Sequence, residues 1–215
     1  MTDRYPGYDV MAKRDGVSWN DKTRAVIDQR LAQAPDDRGA LTETRWNTLT
    51  ALCECILPQD ARRRKAIPLA AVIAGKIGKD ASEGYRDVRL PTFREAWERG
   101  LDALQDEARL RHGEDFISLI GAQHQALLDD IAKGTTTSPL WGDMPARQFF
   151  AKRVLHDLVS TYYAFPAAWN EIGFGGPASP RGYVRLGFDR RDPWEAAEAT
   201  AGQEMQARRK NARQR

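Results

Sequence analysis

The side chains able to do acid–base, nucleophilic or metal chemistry are few and scattered along the chain. The three histidines are His112, His124 and His156. His112 falls at a predicted helix end, where an imidazole can meet the last carbonyls. His124 lies beside the apolar stripe of its helix. His156 precedes Asp157, which points about 100° away on a helix of 3.6 residues per turn. A di-iron bundle needs Glu-x-x-His pairs on two helices, and no histidine here has a glutamate three residues before it. Each histidine reads best as satisfied or exposed. The two cysteines, Cys53 and Cys55, sit one residue apart. That places them about 200° apart on a helix. A disulfide between them is disfavoured, and two ligands do not make a zinc site. They read as buried thiols. A nucleophile elbow, a P-loop, a dinucleotide glycine fingerprint and an HExxH helix are all missing from the sequence. Glu171 is the one acid inside an aromatic block. It is placed to accept backbone N–H bonds or to pair with Arg181, a structural role before a catalytic one. Paired-carboxylate catalysis is left open by sequence.

These residues must be positioned by helices. The most informative stretch runs from Pro145 to Phe188. Phe150, Val154, Leu158 and Tyr162 recur every four residues, with Leu155 and Val159 widening the stripe, so the spacing predicts a helix with one apolar face. Pro145 suits its first turn, and Phe165-Pro166 breaks it. After that, Phe174-Gly175-Gly176-Pro177 and Pro180-Arg181-Gly182-Tyr183 mix glycine, proline and rings. Such a loop orders without regular hydrogen bonding. It packs either on its own domain or on a partner, and the residues leave both open.

The remainder reads as more helices. Residues 1–17 are a polar, irregular arm, with Tyr5 and Tyr8 able to pin it to a surface and disorder equally compatible. Ser18 caps a helix from Trp19 to Gln33. Thr42 opens one with Trp46, Leu49, Leu52, Cys53 and Ile56 on its core face, stopped by Pro58. Arg62, Arg63, Arg64 and Lys65 form a basic run that reads as a solvated loop before a phosphate or acidic-partner site. Pro68 starts a third helix. Thr92 and Glu95 form a capping box ahead of Phe93, Trp97, Leu101, Leu104 and Ala108, with Gly113 as the stop. A helix is predicted over 115–133, ended by Gly134. A last helix starts at Pro193 and runs into a basic tail. Strand-type alternation is missing, apart from short pairing at Tyr183–Leu186. The predicted fold is all-α, a compact bundle of about six or seven helices with a Gly/Pro/aromatic C-terminal loop. Its expected parts are an arm at 1–17, a helical domain at 18–188, and a C-terminal helix and tail at 189–215. The 215 residues carry a formal net charge of +3 and are 41% hydrophobic. That balance argues for a globular domain and against nucleic-acid binding through the basic run and tail. No apolar run is long enough to span a bilayer. The N-terminus shows neither an apolar signal core nor a twin-arginine pair, so the expected location is cytoplasmic, or periplasmic if a signal-bearing partner exports the chain.

The block YYAFPAAWNEIGFGGPASPRGY resembles the C-terminal signature of the gluconate 2-dehydrogenase subunit 3 family. WNTLTALCECILPQD resembles the family's opening helix, and GLDALQDEARLRHGEDFISL followed by QHQALLDDIAKG its central helices. The resemblance runs roughly from Trp46 to Arg185, and the ordered set is more specific than any one piece. It implies a small, non-catalytic helical subunit holding no flavin, metal or other cofactor. Such a subunit binds and stabilises a large FAD-dependent flavoprotein of the glucose-methanol-choline type as a heterodimer or assembly factor. That partner oxidises an alcohol group of a sugar, glycoside or sugar acid, and often passes electrons to a cytochrome c subunit. In that reading the candidate partner-binding anchors are Trp169, Phe174, Arg181 and Tyr183, with Gly175 and Gly176 allowing close approach. The competing reading is a free-standing helical enzyme or ligand-binding domain with a pocket between helices, in which His124, His156 and Glu171 would be tested.

Overall fold

The computed structural model describes residues 3–59, 66–81, 84, 86–179, 182 and 194–213. Among them the fold is all-α, and the one β feature is an isolated parallel bridge between Trp19 and Ser179. The chain divides into two compact units. One is residues 33–162; the other joins residues 1–32 to 163–215.

After α1 (Asp21–Leu31) of the other unit, the 33–162 unit begins with α2 (Glu43–Ile56), capped by the Thr42 hydroxyl, which accepts from the Arg45 N–H. It buries Leu49, Leu52 and Cys53. Next is α3 (Leu69–Lys79), with Ile73 and Ile77 buried. The longest helix, α4 (Phe93–His112), begins at Thr92, whose hydroxyl accepts from the Glu95 N–H, and stops at Gly113. Phe93, Trp97, Leu101, Leu104 and Ala108 all lie in the core, as their spacing predicts.

The predicted helix over 115–133 is divided. A 3-10 turn covers Phe116–Ser118, and α5 (Gly121–Lys133) starts afresh after Ile120. Gln105 causes the break. Its side-chain oxygen accepts from the Phe116 N–H at 3.0 Å, and its amide donates to Asp115 at 2.6 Å. The new start is secured by Gln123, whose side chain accepts from the Ile120 N–H at 2.9 Å.

The final helical run of this unit is α6 (Ala146–Phe149), a π-helical segment (Phe150–Leu155) and α7 (His156–Tyr162). Val154 and Leu158 are buried as predicted, but Leu155 and Val159 face outward, and Phe149 is the fully buried ring. The i→i+5 bonds of the π segment shift the register, so a strict four-residue spacing misassigns the flanking positions. The Phe149 ring lies against Gly100 of α4, where any Cβ would overlap it. Trp97 and Trp141 pack around the same ring, with centroids 5.5 and 5.7 Å away.

In the other unit, α1 (Asp21–Leu31) is capped by Asn20, which accepts from Thr23 N–H at 2.9 Å; Ser18 is not the cap. The short α8 (Pro166–Ile172) has proline in its first turn, and α9 (Glu204–Asn211) lies near the C-terminus. The helix expected from Pro193 is therefore replaced, in the described part, by turns from Trp194 and a helix starting at Glu204. The residue Pro193, the Arg62–Lys65 run and the Tyr183–Leu186 pairing lie outside the described residues.

Gly100→Ala should destabilise the protein. Overpacking a filled core costs about 1–3 kcal/mol, against roughly 1 kcal/mol gained in helix propensity. Urea unfolding should show the loss, and Phe149→Leu in the same chain should recover part of it.

Candidate functional site

The polar groups first considered for catalysis are held by structural bonds. His124 is buried, and its Nε2 meets the Phe116 carbonyl at 2.7 Å while its ring packs edge-on to Phe116. His112 Nδ1 is 3.5 Å from the Gln123 amide. The His156 side chain is half-exposed, with Nδ1 3.1 Å from Asp157. Asp157 itself is buried and accepts from the Trp97 indole at 2.8 Å. Glu171 is exposed at the end of α8.

The most heavily used carboxylate is one that sequence reading passed over. Glu107 is fully buried. One of its oxygens accepts from the Thr137 and Ser138 backbone N–H groups at 2.7 and 2.9 Å and from the Trp141 indole at 3.1 Å. Its other oxygen pairs with Arg111 at 2.8 Å, and Arg111 also reaches Asp130. The Thr137, Ser138 and Trp141 donors tie the 135–141 connector to α4, and Arg111 closes the second oxygen from within the helix, so the carboxylate is consumed by packing. A glutamate beside the apolar stripe of α4 and one turn before an arginine was the available signal.

Cys53 is buried, and burial pushes its thiol up to about 12. Cys55 is raised by the same cause. Thiolate chemistry at ordinary pH is disfavoured at both. Among the described residues no cluster of three or more His, Cys, Asp or Glu is placed to hold a metal ion. None of their helices is long and apolar enough to cross a membrane. A groove of about 420 Å³ opens between the end of α2 and the start of α3, lined by residues that include Trp46, Thr50, Cys53, Leu57 and Ile67.

The other unit holds the Gly/Pro/aromatic loop, and here the N-terminal arm changes the picture. The arm is ordered by burial. Tyr5, Tyr8 and Val10 pack with Trp19, Ile27, Trp169 and Ala196 in one core cluster. A 3-10 turn spans Val10–Lys13. Asn170 accepts from the Val10 N–H at 2.8 Å, and Asn211 of α9 donates to the Pro6 carbonyl at 3.0 Å. Lys13 is almost fully buried. Its ammonium donates to Tyr8 Oη at 2.9 Å, to the Gly175 carbonyl at 3.4 Å and to the Trp194 carbonyl. Tyr8 Oη in turn donates to the Phe174 carbonyl at 3.1 Å.

The residues implied as partner-binding are thus sorted by depth. Trp169 is buried, its indole donating to the Tyr163 carbonyl at 2.6 Å. Gly175 and Gly176 are buried as well. Gly176, at φ +74°, is where the arm comes closest: a Cβ would lie 2.6 Å from Val10 Cγ2. The approach that glycine permits is made by the chain's own arm. Phe174 packs edge-on to Trp169 and keeps 41% of its surface exposed. Arg181 and Tyr183 lie outside the described residues.

With this geometry in view, the comparisons with known proteins assign the chain to a class of small helical subunits. A family model described as gluconate 2-dehydrogenase subunit 3 matches residues 43–176, so the chain belongs to that family. No curated protein and no solved structure matches it. The matched region ends at Gly176, so the arm, α1 and α9 lie beyond it.

Lys13→Met should free the arm. Removing a charged donor from buried acceptors costs roughly 1–3 kcal/mol. Limited proteolysis should then cut within residues 3–17, at protease levels that leave the unaltered chain whole.

Proposed function

We propose that this chain is the non-catalytic small subunit of a flavin-dependent dehydrogenase complex. It binds a large FAD-containing protein of the glucose-methanol-choline type and keeps that protein folded. The partner oxidises an alcohol group of a sugar, glycoside or sugar acid. The family membership carries this reading. Two structural observations support it. The two buried carboxylates Glu107 and Asp157 of the 33–162 unit are committed to internal bonds. The surface also presents large apolar side chains that stay partly exposed. These include Ile172 and Phe174 at 48% and 41% exposure beside the loop, and Leu155 and Val159 on the last helical run of the 33–162 unit. Single exposed apolar residues are ordinary, but pairs at helical spacing or beside an ordered aromatic suit an interface core.

The flavin belongs to the partner in this reading. What this chain supplies is apolar area, and an obligate interface needs roughly 2,000 Å² or more in total. A cytochrome c subunit completing the electron path is part of the same proposal.

One observation favours a second reading, a ligand-binding domain. The groove between α2 and α3 is within the size range of small-molecule sites, and the Thr50 hydroxyl on it is buried with no hydrogen-bond partner among the described residues.

The tagged chain should co-purify from its host with one larger, yellow protein. The eluate should show flavin absorbance and reduce a dye when a sugar or sugar acid is added. A colourless, solitary chain whose melting temperature rises with a small molecule would support the second reading instead.

A further inference from the structure

We propose that the outer face of α1, together with Pro177 of the aromatic loop, is a docking groove for an acidic, apolar segment of the partner protein. The proposal rests on the small-subunit reading and gives it a specific contact.

The groove has a volume of about 300 Å³ and is lined by Lys22, Thr23, Val26, Ile27, Arg30 and Pro177. Lys22, Val26 and Arg30 are spaced by four residues and so share one helical face. Ile27 forms the buried floor, and Val26 stands 46% exposed beside it. Val26 therefore leaves nearly half of its aliphatic surface in water between two cations.

The charges of α1 are segregated by face. Asp21 is paired with Arg24 at 2.6 Å, and Asp28 is paired with Arg14. The acids of this helix are therefore neutralised away from the groove. On the groove side, Lys22 makes no ion pair among the described residues, and the Arg30 guanidinium donates to a neutral acceptor, the Ala164 carbonyl, at 3.0 Å. Among the described lining residues none is acidic. Two cations separated by two turns of helix, with an apolar slot between them, fit an aliphatic or aromatic side chain flanked by carboxylates. A second copy of this chain would present its own cations and be repelled at the same place. Charge complementarity of this kind steers association and makes it salt-dependent.

The test uses the flavin-bearing protein that co-purifies with the unaltered chain, separated from it and repurified. Binding is measured at low and high salt for three forms of the full chain. These are the unaltered chain, Lys22→Glu with Arg30→Glu, and a control with the same charge change on the other unit, Lys79→Glu with Lys133→Glu. Circular dichroism confirms that each is folded. Val26→Asp, which changes one exposed side chain, serves where the double variant fails to fold. The groove variants should lose about tenfold or more in affinity, as expected when desolvated contacts are removed from an interface. Their residual binding should depend less on salt, and the control should bind like the unaltered chain. Equal binding by groove variants and control would overturn the groove while leaving the subunit reading intact. Failure of the unaltered chain to bind any flavoprotein would overturn both.

Discussion

A buried ammonium group ties together three separate segments of one compact unit. Lys13 donates to Tyr8 of the arm, to the Gly175 carbonyl of the aromatic loop and to the Trp194 carbonyl of the C-terminal segment. Burying a lysine is costly unless its donors are satisfied, and here three oxygens meet it. The bond from Tyr8 onward to the Phe174 carbonyl extends the same chain of donors into the loop. Consequently the backbone of Phe174 is fixed from within while part of its ring remains outside. The setting of this partly exposed ring thus depends on a contact made by the N-terminal arm.

The 33–162 unit rests on a different constraint, the absence of a side chain at Gly100. That absence admits the Phe149 ring, around which Trp97 and Trp141 pack. Each tryptophan then finds a buried carboxylate for its indole N–H: Asp157 for Trp97 and Glu107 for Trp141. Carboxylates buried in this way resemble catalytic acids in a sequence listing. Their partners show that these two act as anchors in the packing.

What was legible in the sequence follows the range of the forces involved. The starts of α2 and α4 could be read because Thr42 and Thr92 cap N–H groups three residues away. The burial of Trp97, Leu101 and Leu104 followed from spacing alone. The break before α5 was hidden because it is made by Gln105, a residue on another helix. Leu155 and Val159 were misassigned because a π segment alters the register that periodicity assumes. The arm was hardest to read. Its order comes from Asn170 and Asn211, some 160 and 205 positions away, and nothing local distinguishes it from a disordered terminus. The aromatic loop was recognisable by composition, but which of its residues are inside was decided by that same arm.

In this account the chain contributes surface and stability to a complex while the redox chemistry occurs in the partner. The most direct measurement is turnover per bound flavin in the purified complex carrying His156→Gln and Glu171→Gln together. Both side chains are exposed, so the fold should survive their replacement. The account predicts the same turnover number as the unaltered complex. A fall of about a hundredfold or more, the scale of a lost general acid or base, with flavin content and assembly unchanged would contradict it.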